Sequence, residues 1–280
     1  MPSSPISLLI ALVTLVLLCA ATLLIRPYEI PRIIWCHWDS EATLPPSVAA
    51  MLEKRRSLHP DWEIRLVTDA TISDWLPHDT PPVDLSKLRP EHRSDWLRLA
   101  LLDRYGGVWM DASTITNQPI TPLWAAAMES HADYCGFWIE GTTTRPEFPV
   151  IENWFIMVPC GSRVLRRWRA EFERALRLGF PAYKQDLKTR GVDCQRIFSA
   201  TDPEDVYLTQ HAAFQAVLQK SPDRDARFLL HRAEDTMFRI HTECDWDSEC
   251  MRAAFGDKAR MEAIPYIKLR GGDRTLFPKY

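Results

Sequence analysis

The stretch from Arg93 to Ser113 concentrates the residues best placed to do chemistry: Asp95, Arg98, Asp111 and Ser113. Asp95 and Arg98 are three residues apart, so a helix carries them on one face. Gly106-Gly107 stops that helix and lets the backbone turn sharply into Val108-Trp-Met110. Asp111 then ends a short strand and returns toward the amino half of the helix. Each part alone has an ordinary meaning. An acid and an arginine three apart form a solvated surface pair, a double glycine is a cap, and an Asp after a strand is a turn former. In this order and spacing the parts describe one strand-end cluster. Its carboxylates can orient hydroxyl groups or ligate a hard cation, and its arginine can meet a phosphate.

The elements that must position this cluster alternate. Pro31–His37 reads as a buried first strand, 47–58 as a helix opened by Pro45-Pro46, and 62–67 as a second strand. A short helix ends near Trp75, and a proline-rich loop covers 77–84. The clearest helix is Pro90–Tyr105, with proline at its start and glycine past its end. Further strands are expected at 108–111, 134–139, 154–158 and 228–231, and helices at 162–178 and 203–219. The last forty residues read as irregular. Strands alternating with helices predict an α/β fold with helices on both faces of the sheet. In such sheets ligands bind at the carboxyl ends of strands, where Asp111 falls.

The 280 residues are 46% apolar and 25% charged, which excludes a disordered, collagen-like or multi-span chain. A net charge of −3 offers no broad basic surface for nucleic acid. Residues 6–25 carry no charge and are long enough to span a bilayer as a helix. The division is therefore a membrane anchor with a short flank over 1–26 and a single domain over 27–280. A cleaved signal peptide is the rival for that segment, with small residues at Cys19-Ala-Ala21, although a basic leading region is missing. Arg26, Arg32 and the Lys54-Arg55-Arg56 cluster follow the apolar run, and the positive-inside rule then favours a cytoplasmic domain. Six cysteines outside the run point the other way. An even number permits disulfides in an oxidising lumen, and Cys244 with Cys250 would close a small loop.

The segment Arg93-Ser-Asp-Trp-Leu-Arg98, continued by Leu102-Asp-Arg-Tyr-Gly-Gly107 and Trp109-Met-Asp-Ala-Ser113, resembles the signature of glycosyltransferase family 32 and its capsular-polysaccharide-synthesis relatives. Ile30-Pro-Arg-Ile-Ile-Trp35, Pro60–Val67 and Asn153-Trp-Phe155 are similar to other strands of that group, and Ile267-Lys-Leu269 to its terminal motif. The resemblance implies a GT-A-like, nucleotide-sugar-binding domain with a mixed, mainly parallel sheet. It implies transfer of a hexose, with mannose among the options, from a nucleotide sugar to a glycan, glycolipid or polysaccharide acceptor with retention. It also implies a Golgi or ER membrane protein with a lumenal catalytic domain. Asp95 and Arg98 match the pair that holds donor sugar and nucleotide, and Asp111 matches the first acid of an Asp-x-Asp motif. Ser113 stands where relatives carry the second acid, so Asp111 and Ser113 are the expected ligands of a divalent ion, Mn²⁺ by resemblance.

Around this centre, Trp35 is a candidate to stack on the nucleobase or to fill the core, and Lys268 and Arg270 are candidates for the diphosphate. His211 and Glu152 are weaker candidates near donor and acceptor. His231 and His241 have no metal-motif spacing. Two other function classes compete. One is a non-catalytic carbohydrate-binding or assembly subunit on the same fold. The other is a hydrolase with paired acids, for which no acid pair of evident separation is present.

Overall fold

The computed structural model describes residues 28–199, 204–220 and 225–276. Its strands are β1 (Ile33–His37), β2 (Glu63–Val67), β3 (Gly107–Met110), β4 (Thr114–Thr116), β5 (Tyr134–Ile139), β6 (Val150–Val158), β7 (Phe228–Arg232) and β8 (Tyr266–Lys268). The helices are α1 (Pro46–Leu58), α2 (Ile72–Trp75), α3 (Pro90–Tyr105), α4 (Thr121–Glu129), α5 (Arg163–Leu178) and α6 (Phe180–Thr189). They continue with α7 (Thr209–Lys220), α8 (Arg239–Glu243), α9 (Ser248–Gly256), α10 (Lys258–Ala263) and α11 (Asp273–Leu276).

Six strands form one sheet in the order β2-β1-β3-β6-β5-β7. β1 runs parallel to β2 and β3, and β5 parallel to β7. β6 is antiparallel to both of its neighbours. Five strands therefore point one way and β6 alone opposes them. This is the mixed, mainly parallel α/β sheet expected. The interior strand β3 is apolar because both of its faces are covered. Val108 and Met110 are fully buried, and burial of such a side chain is worth about 2 kcal/mol.

The turn from α3 into β3 admits only glycine. Gly106 and Gly107 have φ of 66° and 90°, and a Cβ on Gly106 would lie 2.6 Å from the Cys160 main-chain nitrogen. Pro90 opens α3 at a position whose N–H needs no helical partner. The helix is buried on more than one face, from His92 through Leu102. It lies between the sheet and α5, against which Trp96 donates to Glu173 at 3.1 Å.

The last forty residues correct the expectation of irregular structure. They contain α9, α10, the short strand β8 and α11. β8 pairs antiparallel with β4, with Thr114 opposite Lys268 and Thr116 opposite Tyr266. A second apolar cluster, including Ile115, Met251, Phe255 and Ile267, seals this layer onto the main domain. A disulfide joins Cys244 to Cys250 across the link from α8 to α9. Helices α4 and α6 were not expected from the sequence. The apolar run of 6–25 lies outside the described residues, and among the described residues no helix is long and apolar enough to cross a membrane.

Candidate functional site

A cleft of about 780 Å³ opens at the carboxyl ends of β1 and β3. It gathers Asp95, Arg98, Asp111, Ser113, Glu152 and Asn153 with His211, Lys268 and Arg270. Helix α3 supplies the first two, the turn after β3 the next two, and β6 the acid and amide. Helix α7 supplies His211, and β8 with its following turn supplies the cations.

Asp111 is held at every polar atom. Its main-chain N–H donates to the Trp154 carbonyl at 3.0 Å, which extends the β3–β6 ladder by one rung. Its Oδ1 accepts from Trp109 Nε1 at 2.9 Å and its Oδ2 from Lys268 Nζ at 2.7 Å. Arg98 Nη2 lies 3.5 Å from Oδ1. Burial pushes this carboxyl upward, but the charges of Lys268 and Arg98 outweigh it and hold Asp111 below the usual carboxylate range. It is ionised at neutral pH.

Asp95 and Arg98 are not a surface pair. They are 5% and 4% exposed and are ion-paired to each other. Gln210 and Asn153 complete a network around them, in which only Arg98 Nε lacks a partner among the described residues. Arg98 Nη1 donates to Gln210 Oε1 at 2.6 Å, and Asn153 Nδ2 donates to Gln210 Oε1 at 2.8 Å and to Asp95 Oδ1 at 3.0 Å. Gln210 Nε2 donates back to the Asp95 carbonyl at 2.6 Å. The guanidinium also lies over the Trp109 ring, 5.1 Å from its centroid. Hydrogen bonds of this kind offset much of the cost of burying the two charges. The roles of Gln210 and Asn153 were not legible in the sequence, since their partners are 57 to 115 positions away.

Trp35 is corrected. It lies mid-strand, 1% exposed, donates to the Gly106 carbonyl at 3.1 Å and packs on Trp75 and Tyr105. It is core and does not reach the cleft. Trp38, just beyond the end of β1, lines the cleft instead, with the Arg274 guanidinium 5.1 Å from its ring centroid. The signal was the strand's length, since the residue past a strand end, not one inside it, faces the ligand side.

His211 and Glu152 do meet in the cleft, with His211 Nε2 3.3 Å from Glu152 Oε2. Neither His211 Nδ1 nor the cleft-lining Trp154 Nε1 has a hydrogen-bond partner among the described residues. Such buried atoms are costly unless a ligand or water meets them. His231 and His241 are elsewhere. His231 packs against Phe137 with the rings tilted at 43°, and His241 is buried 2.8 Å from Asp273. Asp273 also receives Arg270, whose guanidinium lies over Trp246, 4.7 Å from its centroid. Arg270 is thereby fixed at the cleft wall.

The expected metal site does not fit these residues. Asp111 is the one carboxylate of its turn, and both of its oxygens already accept bonds. Ser113 directs its hydroxyl to the Leu269 carbonyl at 3.3 Å. Two cations flank the carboxylate where a divalent ion would sit, and such an ion needs about six oxygen ligands. Among the described residues no group of three or more His, Cys, Asp or Glu side chains converges to hold a metal. On that donor set Asp111 and Ser113 do not by themselves make a ligand pair for Mn²⁺.

The comparisons agree with the resemblance. The family described as capsular polysaccharide synthesis protein matches residues 25–174, just over half of the chain. The O-glycosyltransferase braB of Annulohypoxylon truncatum is 28% identical over 171 residues, covering 53% of this chain and 38% of that protein. The O-glycosyltransferase PaGT of Phomopsis amygdali is 26% identical over 161 residues, covering 53% and 39%. The matched regions thus span about two fifths of the length of these relatives. Among solved structures, a glycosyltransferase involved in glycosylation of the major capsid of PBCV-1 covers 87% of this chain and 96% of its own, at 11% identity and a TM-score of 0.44. The PaToxG glycosyltransferase covers 88% and 83%, at 12% identity and a TM-score of 0.43. The family match contains β1, β2, α3, β3 and the Asp95–Arg98–Asp111 cluster, and on it the chain belongs to the capsular polysaccharide synthesis protein family.

Proposed function

We propose that this chain is an O-glycosyltransferase that moves a hexose from a nucleoside-diphosphate sugar to a hydroxyl of a glycan, glycolipid or polysaccharide. One observation carries the reading: an ionised carboxylate, Asp111, stands at a strand end between Lys268 and Arg98 in a cleft that also holds Asp95, Asn153 and Glu152. The curated relatives bear the same activity in their names. In this reading Trp38 stacks on the base, and the Asp95–Arg98–Gln210–Asn153 network orients the donor sugar. Glu152 with His211 faces the acceptor.

The bond between the anomeric carbon and the β-phosphate oxygen breaks, and its electron pair stays on that oxygen. The acceptor oxygen bonds to the anomeric carbon. Its proton passes to the departing phosphate, on the same face of the sugar, so configuration is retained. The protein's contribution is orientation and fixed positive charge where negative charge grows.

The same reading places the domain in an oxidising lumen, Golgi or ER, anchored through residues 6–25. The Cys244–Cys250 disulfide supports the compartment. A panel of UDP- and GDP-hexoses incubated with the full chain tests the activity. Acceptor-dependent release of nucleoside diphosphate is expected from one of them. Tight donor binding without any release would make the chain a binding subunit instead.

A further inference from the structure

The site lacks a fitting ligand set for a divalent ion, yet a departing diphosphate needs a positive counterpart. Lys268 stands where that counterpart is required. We infer that the Lys268 ammonium takes the charge-neutralising role of a metal in this site, so that the chain binds a nucleoside diphosphate without one. The inference rests on the proposed donor class.

Four observations lead to it. The ammonium lies 2.7 Å from Asp111 Oδ2, and its side chain is 11% exposed, so the charge is held and little screened by water. Its main chain is fixed twice, by the β8 ladder opposite Thr114 and by its N–H donating to the Met237 carbonyl at 3.0 Å. An ammonium has three donors. One is used on Asp111, which leaves two for phosphate oxygens. Finally, Arg270 and Arg274 line the same cleft within six residues of Lys268, each laid over a tryptophan ring. One short segment thus supplies three cations to one wall.

Asp111 acquires a matching role. It orients the ammonium, 2.7 Å away, as a carboxylate elsewhere would orient a metal. Ser113 is then no defect, because a second carboxylate beside Lys268 would draw the ammonium away from the phosphates. A divalent ion entering the intact site would meet Lys268 and Arg98 at close range and be repelled.

Calorimetric binding of UDP and of GDP to the full chain tests this, each measured in EDTA and in millimolar Mn²⁺. For whichever diphosphate binds, the affinity is expected to agree within about twofold between the two conditions. Lys268→Met should weaken binding in EDTA at least tenfold, and added Mn²⁺ should restore part of the loss, because Asp111 is then released to hold an ion. A melting curve for Lys268→Met, with Lys268→Arg as the charge-preserving control, separates lost binding from lost folding. If the wild type binds only with Mn²⁺, the inference is overturned while the nucleotide-sugar reading stands. If neither diphosphate binds in either condition, both are overturned.

Discussion

Arg55, fully buried on α1, donates from Nη2 to the main-chain carbonyls of Asp111 and Thr114, at 3.1 and 2.8 Å. The turn that presents Asp111 is therefore clamped from behind by a charge inside the protein. Its Nη1 adds a contact to Cys36 Sγ at 2.9 Å. Arg55→Ala leaves the Thr114 carbonyl without this donor, at about 1–3 kcal/mol, while the Asp111 carbonyl keeps the Thr114 N–H at 3.1 Å; the emptied space inside the fold adds to the cost. We expect destabilisation of about 3 kcal/mol, read as a lowered denaturant midpoint. Arg55→Lys should recover only part of it, since an ammonium cannot reproduce the planar fork. A variant as stable as wild type would show that the clamp is dispensable.

Asp111→Asn keeps the side chain's size but loses the anion between Lys268 and Arg98. Transfer should fall by more than a hundredfold, with the far-ultraviolet circular dichroism unchanged. Activity and melting must be measured on the same preparation. Retained transfer removes Asp111 from the reaction, and global unfolding assigns it a structural role only.

Breaking the Asp95–Arg98 pair should be far more damaging than the loss of a surface ion pair. Arg98→Ala strands Asp95 among buried groups, a loss of about 3–5 kcal/mol. Asp95→Asn combined with Arg98→Met removes both charges and should be milder than Arg98→Ala alone. A double-mutant cycle by chemical denaturation measures the difference. A cost below about 1 kcal/mol for Arg98→Ala would match an exposed pair and contradict the burial.

Asp273 sets an acid limit on the carboxyl-terminal layer. Burial alone would raise its pKa, but hydrogen bonds from His241 and Arg270 hold it well below the usual carboxylate range. A carboxyl depressed in the folded state stabilises that state above its unfolded pKa, about 3.9. That contribution is lost as pH falls from there toward the folded value. Stability from this group should therefore be full at pH 6 and decline below about pH 4. Asp273→Asn should flatten that part of the stability profile, and an unchanged acid limb would remove Asp273 as its source.

Reduction of Cys244–Cys250 should lower the melting temperature without dissolving the sheet. Closing so small a loop is worth about 2 kcal/mol in the chain-entropy account. Cys244→Ser should reproduce the reduced state. If neither treatment moves the transition, the layer holding Arg270 does not depend on the bridge.

The parts legible in the sequence are those with local punctuation. Helix α3 runs over Pro90–Tyr105 as read, because proline and a double glycine mark both ends. Strand β5 likewise runs over Tyr134–Ile139 as read. Asp95, Arg98 and Asp111 were legible because one helix, one turn and one strand bring them together. Lys54-Arg55-Arg56 reads only as basic charge following the apolar run, yet Arg55 lies inside the fold. A signal was present, since Arg55 continues the stripe of Val48, Met51 and Leu52 at helical spacing. Gln210 left no such trace, because its importance comes from partners set by tertiary packing alone. Strand β8 is three residues long, too short to show alternation, so Lys268 and Arg270 were legible as candidate cations but not the strand that places them, which its ladder with β4 reveals.

That two-stranded ladder has a consequence for how this gene tolerates change. Antiparallel pairing puts alternate residues on opposite faces, so a slip of one position would turn Lys268 away and bring Ile267 or Leu269 opposite Thr114. The acid and its cation are 157 positions apart in the chain, yet their meeting depends on both short strands keeping the same count of residues. A single-codon insertion or deletion within either strand would therefore silence the site while leaving composition, charge and the six-stranded sheet as they are.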